Sequence, residues 1–182
     1  REWLDKYDAR KDPDFPFLFN HINDSVYARG REISAELGIG TTLTVAYLNG
    51  KRLTAGHIGD TGLVIFKEDL WRQVTQDHTM AQEMLDRLNP GEEAFIPEYF
   101  SHTLTRCIGQ TGQIQTDVYH EVLEPGDRVL LFTDGVTKTM QMDELHEMIF
   151  ATDNPQAFVQ KVISLANERG GPDNVTAIAI FI

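Results

Sequence analysis

Pro125-Gly126-Asp127-Arg128-Val129-Leu130-Leu131-Phe132-Thr133-Asp134-Gly135-Val136-Thr137 is the stretch on which the reading of this chain turns. A Pro-Gly-Asp turn opens it, and a run of branched and aromatic side chains follows, which predicts a buried strand. Directly after the run stands Asp134, and Gly135 follows it. A carboxylate at the end of a buried apolar strand is costly unless a metal or a hydrogen-bond network compensates it. Gly135 lets the chain turn sharply there and lets a backbone or ligand come close. The rest of the chain reads as the frame that holds Asp134.

The frame is large enough for one domain over 1–182 with a real core. Hydrophobic residues make up 41% and charged residues 24%, the balance of an ordinary soluble globular protein. No apolar run approaches the roughly eighteen residues of a membrane span. A net charge of −12 argues against a nucleic-acid binder, which needs a basic face. That acidity serves solubility, or it gathers carboxylates that need cations. The single cysteine, Cys107, excludes an intramolecular disulfide and fits a reducing, cytoplasmic setting. Its apolar surroundings suit a packing residue better than a nucleophile. There is no Cys/His zinc spacing.

Working outward from Asp134, the chain predicts a series of short elements. Arg1-Glu2-Trp3-Leu4 has no start methionine or signal-peptide layout, and residues 1–8 read as a helix entered part-way. Prolines mark a loop up to Pro16. Leu18, Ile22, Val26, Ile33 and Leu37 then form one apolar stripe, a helix over 17–37 ended by Gly38. Residues 40–48 and 51–58 read as strands joined by an Asn49-Gly50 hairpin. Gly59-Asp60-Thr61-Gly62 and Glu68-Asp69 are further turns, so the strands to Val74 predict an antiparallel meander. Thr79 caps a helix to Leu88. Residues 91–112, with Pro97, Phe95, Tyr99 and Phe100, form the least regular stretch, and 85–112 is read as a flap segment over a site. A strand over 114–122 follows. After the opening stretch come helices at 142–150 and from Pro155, then an almost continuously apolar final segment, read as an interior strand. The pattern is α+β: an antiparallel β-sandwich of two sheets flanked by α-helices.

Three acidic residues share one setting, a strand end beside a glycine or in a turn: Asp60, Asp134 and Asp173. Each suits a turn or strand-end cap. Gathered at one edge of a sandwich, they would instead repel each other unless cations sat between them. Oxygen ligands without His or Cys suit Mg2+ or Mn2+, and a pair of such ions activates water for attack on phosphorus.

At these residues the chain resembles the metal-dependent Ser/Thr protein phosphatases of type 2C, of the bacterial kind. The matching pieces stand in order: Gly40-Thr41-Thr42-Leu43, His57-Ile58-Gly59-Asp60-Thr61, Thr75-Gln76-Asp77-His78-Thr79, Leu104-Thr105-Arg106-Cys107-Ile108-Gly109, Pro125 through Val136, and Gly171-Pro172-Asp173-Asn174-Val175-Thr176. Any one of them is weak, and six in order over residues 40–182 are strong. The resemblance implies a binuclear Mn2+ or Mg2+ centre whose bridging water hydrolyses phosphoserine or phosphothreonine in phosphorylated protein substrates. It makes Asp134 and Asp173 metal ligands of catalytic importance and Asp60 a ligand of a weaker third ion. A cognate Ser/Thr kinase and a signalling role go with it.

Two departures stand out. The family's first motifs, a phosphate-clamping Arg, an acidic strand residue and an Asp-Gly-(His/Met)-Gly-Gly turn, are not in this sequence and would lie upstream of Arg1, as in a chain cut at its N-terminus or completed by another chain. Lys138 stands where the family often has an acidic residue that helps the third metal, and it either repels a cation or neutralises the cluster. The alternative function is therefore an inactive phosphatase-fold binding module. Elsewhere, Arg106 is read as pairing with a carboxylate or touching phosphate, and Asp77-His78 as tying a strand end to the next helix.

Overall fold

The run after Gly126 becomes β6 (Arg128–Phe132), flanked on both sides by antiparallel partners, β3 (Gly62–Lys67) and β7 (Ala177–Phe181). With β4 (Leu70–Gln73) they form a sheet in the order β4-β3-β6-β7. A second antiparallel sheet has the order β1-β2-β5, from β1 (Leu43–Asn49), β2 (Arg52–Ile58) and β5 (Asp117–Val122). The computed structural model describes residues 12–34, 36 and 38–182, so the helix expected over 1–8 lies outside the described residues.

The period of two along each strand sorts its side chains into layers. Val129 and Leu131 of β6 join Leu63 and Ile65 of β3 and Leu53 and Ala55 of β2 between the sheets. Leu130 and Phe132, with Val64 and Phe66, face α3 (Met142–Phe150) and α4 (Pro155–Glu168). On the other side, Phe15 and Phe19 of α1 (Phe15–Ile33) pack with Ile58, Ile108 and Ile114. β6 reads as a continuous apolar run because both of its faces are covered. At its start, Arg128 stacks over the rings of Phe150 (4.7 Å) and Phe181 (4.3 Å) and donates to the carbonyls of Ile149 and Thr152, tying the end of α3 to the sheet.

Several expectations need correction. α1 begins at Phe15, inside the expected proline loop. Asp14 caps it by accepting from the Phe17 N–H (3.0 Å), and Pro16 sits in the first turn, where a missing N–H costs nothing. The helix ends at Ser34, and Gly38 closes a separate turn onto the Ser34 carbonyl (2.9 Å). Leu37 of the expected stripe lies outside the described residues, and Ile33 is exposed. The fully buried apolar side chains of the helix are Phe15 and Phe19 instead. Phe15 lies over Gly56, where a Cβ would come within 2.5 Å of its ring.

The strands from 40 to 74 are not one meander. β1 and β2 form the expected hairpin, with Asn49 opposite Arg52. After β2, however, the chain crosses to the other sheet through Gly59-Asp60-Thr61. Gly59 takes φ +112° and lies against Thr42, where a Cβ would be 2.3 Å away, so only glycine makes this crossing. A turn signal marks a change of direction but does not say which sheet receives the next strand. The strand expected over 114–122 starts at Asp117, and Ile114 packs on α1 before it. The last strand, β7, lies at a sheet edge among the described residues, not in the interior. It is apolar on both faces because Ala177, Ala179 and Phe181 pack toward α4 while Ile180 packs between the sheets.

Leu130, fully buried at the centre of the four-stranded sheet, tests this layering. Leu130→Ala is expected to cost about 2–5 kcal/mol, read as a lower urea midpoint with an unchanged denaturant slope.

Candidate metal centre

The chain leaves β6 through Thr133-Asp134-Gly135, and these residues are clamped to the loop before β7. The Thr133 N–H donates to the Thr176 carbonyl (3.1 Å). Its hydroxyl donates to the Asn174 carbonyl (3.2 Å) and accepts from the Thr176 N–H (3.0 Å). Gly135 comes so near this loop that a Cβ would stand 2.3 Å from the Asn174 oxygen. The clamp carries Asp134 and Asp173, distant in sequence, to one sheet end.

There the two carboxylates meet a single cation. A turn over 134–139 is held by the Lys138 N–H donating to the Asp134 carbonyl (2.9 Å), which sets Lys138 one turn beyond Asp134 on the same side. Its Nζ lies 2.6 Å from Asp134 Oδ2 and 2.5 Å from Asp173 Oδ2. The hydrogen bond from Lys138, then one from the Asn174 N–H, hold the Asp173 carboxyl below its ordinary range, and the same two aspartates hold the Lys138 ammonium above its own.

Asp60 rides on the crossover between the sheets. Burial, then the charge of Asp134, raise its carboxyl. Asp77, in the loop after β4, is pushed up to about 6 by burial and then by the charges of Asp60 and Asp134. These aspartates therefore share one field, although among the described residues no three His, Cys, Asp or Glu side chains are disposed around a single metal position. Asp134 and Asp173 converge on one atom, the Lys138 Nζ, while Asp60 and Asp77 are coupled to Asp134 by charge. The 3-10 turn Glu98–His102 reaches the same end, with His102 Nδ1 4.0 Å from Asp134 Oδ2.

A buried network holds the Asp60 crossover. His78 accepts from the Gly59 N–H at Nδ1 (3.0 Å), and the His78 backbone N–H donates to the Gly59 carbonyl (2.7 Å). His78 Nε2 meets Asp117 Oδ2 (3.1 Å), and Asp117 takes both Arg106 nitrogens (2.7 and 3.4 Å). Of the two readings of Arg106, the carboxylate pair is the one formed. His57 stands beside His78, ring centres 4.7 Å apart, bonded to the Thr44 hydroxyl (2.8 Å) and the Gln76 carbonyl (3.1 Å). Burial, then His78, lower it to about 4, so it is neutral at pH 7.

A cleft of about 300 Å³ opens between β1 and β7 beside this end, lined by Thr42, Thr44, Thr61, Leu131, Thr133 and Ile178 among others. The larger cavity, about 650 Å³, lies around Arg128 at the far end of β6 and contains none of the predicted site residues.

The pattern of the family described as Protein phosphatase 2C matches residues 17–175. The chain belongs to the protein phosphatase 2C family. It is 31% identical over 161 residues to protein phosphatase PhpP of Streptococcus pneumoniae, a match covering 87% of this chain and 64% of that protein. The chain thus spans just under two thirds of that relative's length. Among solved structures, the serine/threonine phosphatase of S. agalactiae superposes with a TM-score of 0.80 at 26% identity, over 92% of this chain and 69% of that one. The catalytic domain of the serine/threonine protein phosphatase PstP, solved in complex with two manganese ions, gives 0.75 at 26% identity over 93% and 72%. The sandwich expected from the sequence is thus the fold of type 2C members.

Within this type 2C frame, Asp77 is the residue that sequence reasoning underused. It was available as a further strand-end carboxylate in a matching segment, and its charge coupling to Asp60 and Asp134 needed the fold. The donor set suits a hard divalent cation, being carboxylate oxygen throughout. The Lys138 ammonium shows that positive charge is accommodated where two of these carboxylates meet.

Two predictions follow from the clamp and the network. Gly135→Ala forces its methyl onto the Asn174 backbone, and the expected result is a destabilised protein with Asp173 displaced, seen as a lowered melting temperature and shifted amide signals around 173–176. His57 is neutral in folded and unfolded chain above pH 6.5. Below that the unfolded chain takes up a proton that the folded one refuses until about pH 4. Stability contributed by neutral His57 is therefore lost as pH falls from 6.5 toward 4, by up to about 3 kcal/mol. Urea midpoints at pH 7.5 and 4.5 should fall less in His57→Gln than in the parent.

Proposed function

We propose that this protein is a metal-dependent protein serine/threonine phosphatase that hydrolyses phosphoserine and phosphothreonine in phosphorylated proteins. The observation that carries this reading is the convergence of Asp134 and Asp173 at one sheet end in a chain of the type 2C family. A relative named as a protein phosphatase and a solved structure named as a serine/threonine phosphatase support a hydrolase over an inactive binding module. Asp134 and Asp173 would hold ions of a binuclear Mn2+ or Mg2+ centre, and Asp60 would serve a weaker third. When bound, such ions supply an acidified water as nucleophile and neutralise phosphoryl charge.

The chain's own residues orient this chemistry. The Thr133 and Gly135 clamp fixes the two ligand carboxylates relative to each other. His78, through Gly59, fixes the crossover that carries Asp60. Asp60 and Asp77 add negative potential at Asp134, which draws cations to this end. Residues 85–112 act as a flap within a single domain, with His102 toward Asp134 and Arg106 anchoring the segment on Asp117.

The same reading makes a Ser/Thr kinase the source of the substrate and places the protein in bacterial cytoplasmic signalling. Among the described residues no helix is long and apolar enough to cross a membrane.

With Mn2+, the full-length chain is expected to release phosphate from a phosphothreonine peptide, and Asp134→Asn is expected to abolish release while leaving the fold intact by circular dichroism. Absence of hydrolysis by the full-length chain at saturating Mn2+ would sink the proposal.

A further inference from the structure

We infer that Lys138 is a tethered cation which occupies the shared position between Asp134 and Asp173, so that a divalent metal and this lysine compete for the same pair of carboxylates. The inference rests on the metal-centre reading above and concerns how this particular chain meets its metal.

The geometry is specific. Lys138 is placed by the turn over 134–139, whose bond from the Lys138 N–H to the Asp134 carbonyl is 2.9 Å. The Thr137 hydroxyl donates to the same carbonyl (3.0 Å), fixing the backbone that launches the side chain. From there the ammonium reaches Asp134 Oδ2 at 2.6 Å and Asp173 Oδ2 at 2.5 Å. The side chain is 27% exposed, against 34% and 40% for the two aspartates, so this is a partly enclosed bridge, not a loose surface pair. A single exposed ion pair contributes little, but one ammonium shared by two carboxylates, one of which also feels the charges of Asp60 and Asp77, offsets real repulsion.

A metal ion ligated by both oxygens cannot share their meeting point with an ammonium at those distances. Lysine is a strongly hydrated point charge on a flexible four-carbon stem, so it can withdraw to water. The stem therefore lets the site exchange an internal single charge for an external double one. Two consequences follow. Lys138 lowers the affinity for metal by the work of displacing it, and it keeps Asp134 and Asp173 together when no divalent ion is supplied.

The test uses the full-length chain and Lys138→Met, which keeps the length and removes the charge. Lys138→Gln is a second neutral variant and Lys138→Arg a charge-retaining control. Mn2+ binding is followed by calorimetry and by the electron paramagnetic resonance of free Mn2+. Melting is followed in chelator and in Mn2+. The neutral variants are expected to bind Mn2+ about tenfold tighter or more, to melt lower than the parent in chelator, and to recover in Mn2+. Lys138→Arg should bind no tighter than the parent. Tighter binding by the neutral variants when the parent binds nothing also supports competition, while removing the metal-dependent reading of the parent. A parent that binds Mn2+ and hydrolyses phosphopeptide, with neutral variants of unchanged affinity, overturns the lysine inference and leaves the phosphatase reading standing. Mn2+ binding by neither parent nor neutral variants overturns both.

Discussion

Mutual repulsion among carboxylates is the constraint that the rest of this structure answers. Asp60, Asp77 and Asp134 share one electrostatic field at the end of a sandwich whose interior is apolar, and Asp173 joins them through Lys138. Burial raises Asp60 and Asp77, and neighbouring negative charge raises them further. Left alone, such a group would take up protons or splay apart. Here a lysine one turn beyond Asp134 draws two of the four together. A fold that gathers like charge in this way is organised around a positive partner.

The scaffold makes the gathering possible by spending buried apolar surface on rigidity near the charges. β6 is covered on both faces, so its end is a fixed point from which Asp134 projects. Gly135 and Thr133 lock that end to the loop bearing Asp173. On the facing sheet, Gly59 turns the chain across the sandwich, and His78 grips it from below with Asp117 and Arg106 behind. Ligand candidates thus stand on strand ends and tight crossings supported by hydrogen-bonded neighbours, the arrangement that holds a constellation in place.

Much of this was legible in the sequence because the signals were local. The apolar run before Asp134, the Asn49-Gly50 hairpin, the Asn154-Pro155 helix start and the cap at Thr79 each depend on a few adjacent residues, and each formed where expected. The resemblance of six short segments placed Asp134 and Asp173 as a pair. Other readings failed where a local signal has two global outcomes. Gly59-Asp60-Thr61 reads as a turn whether the chain doubles back or crosses between sheets. An apolar strand such as β7 reads as interior whether neighbours cover its edges or only its faces. The stripe of α1 named Leu18 and Ile22, but Phe15 took one of the deepest positions because Gly56 left room for its ring, with Phe19 packed edge-on beside it.

By itself, then, the sequence determined the α+β sandwich, its family, and which carboxylates stand at strand ends, since alternation, turn chemistry and motif order are properties of neighbouring residues. Only the tertiary structure decided that Asp134 and Asp173 converge on one nitrogen, that Asp77 feels the charges of Asp60 and Asp134, and that Arg106 is held by Asp117. Those facts depend on distances between residues far apart in the chain. Packing of the two sheets and the close approach of Gly135 to Asn174 set them, and no local pattern encodes how near two strand ends will come.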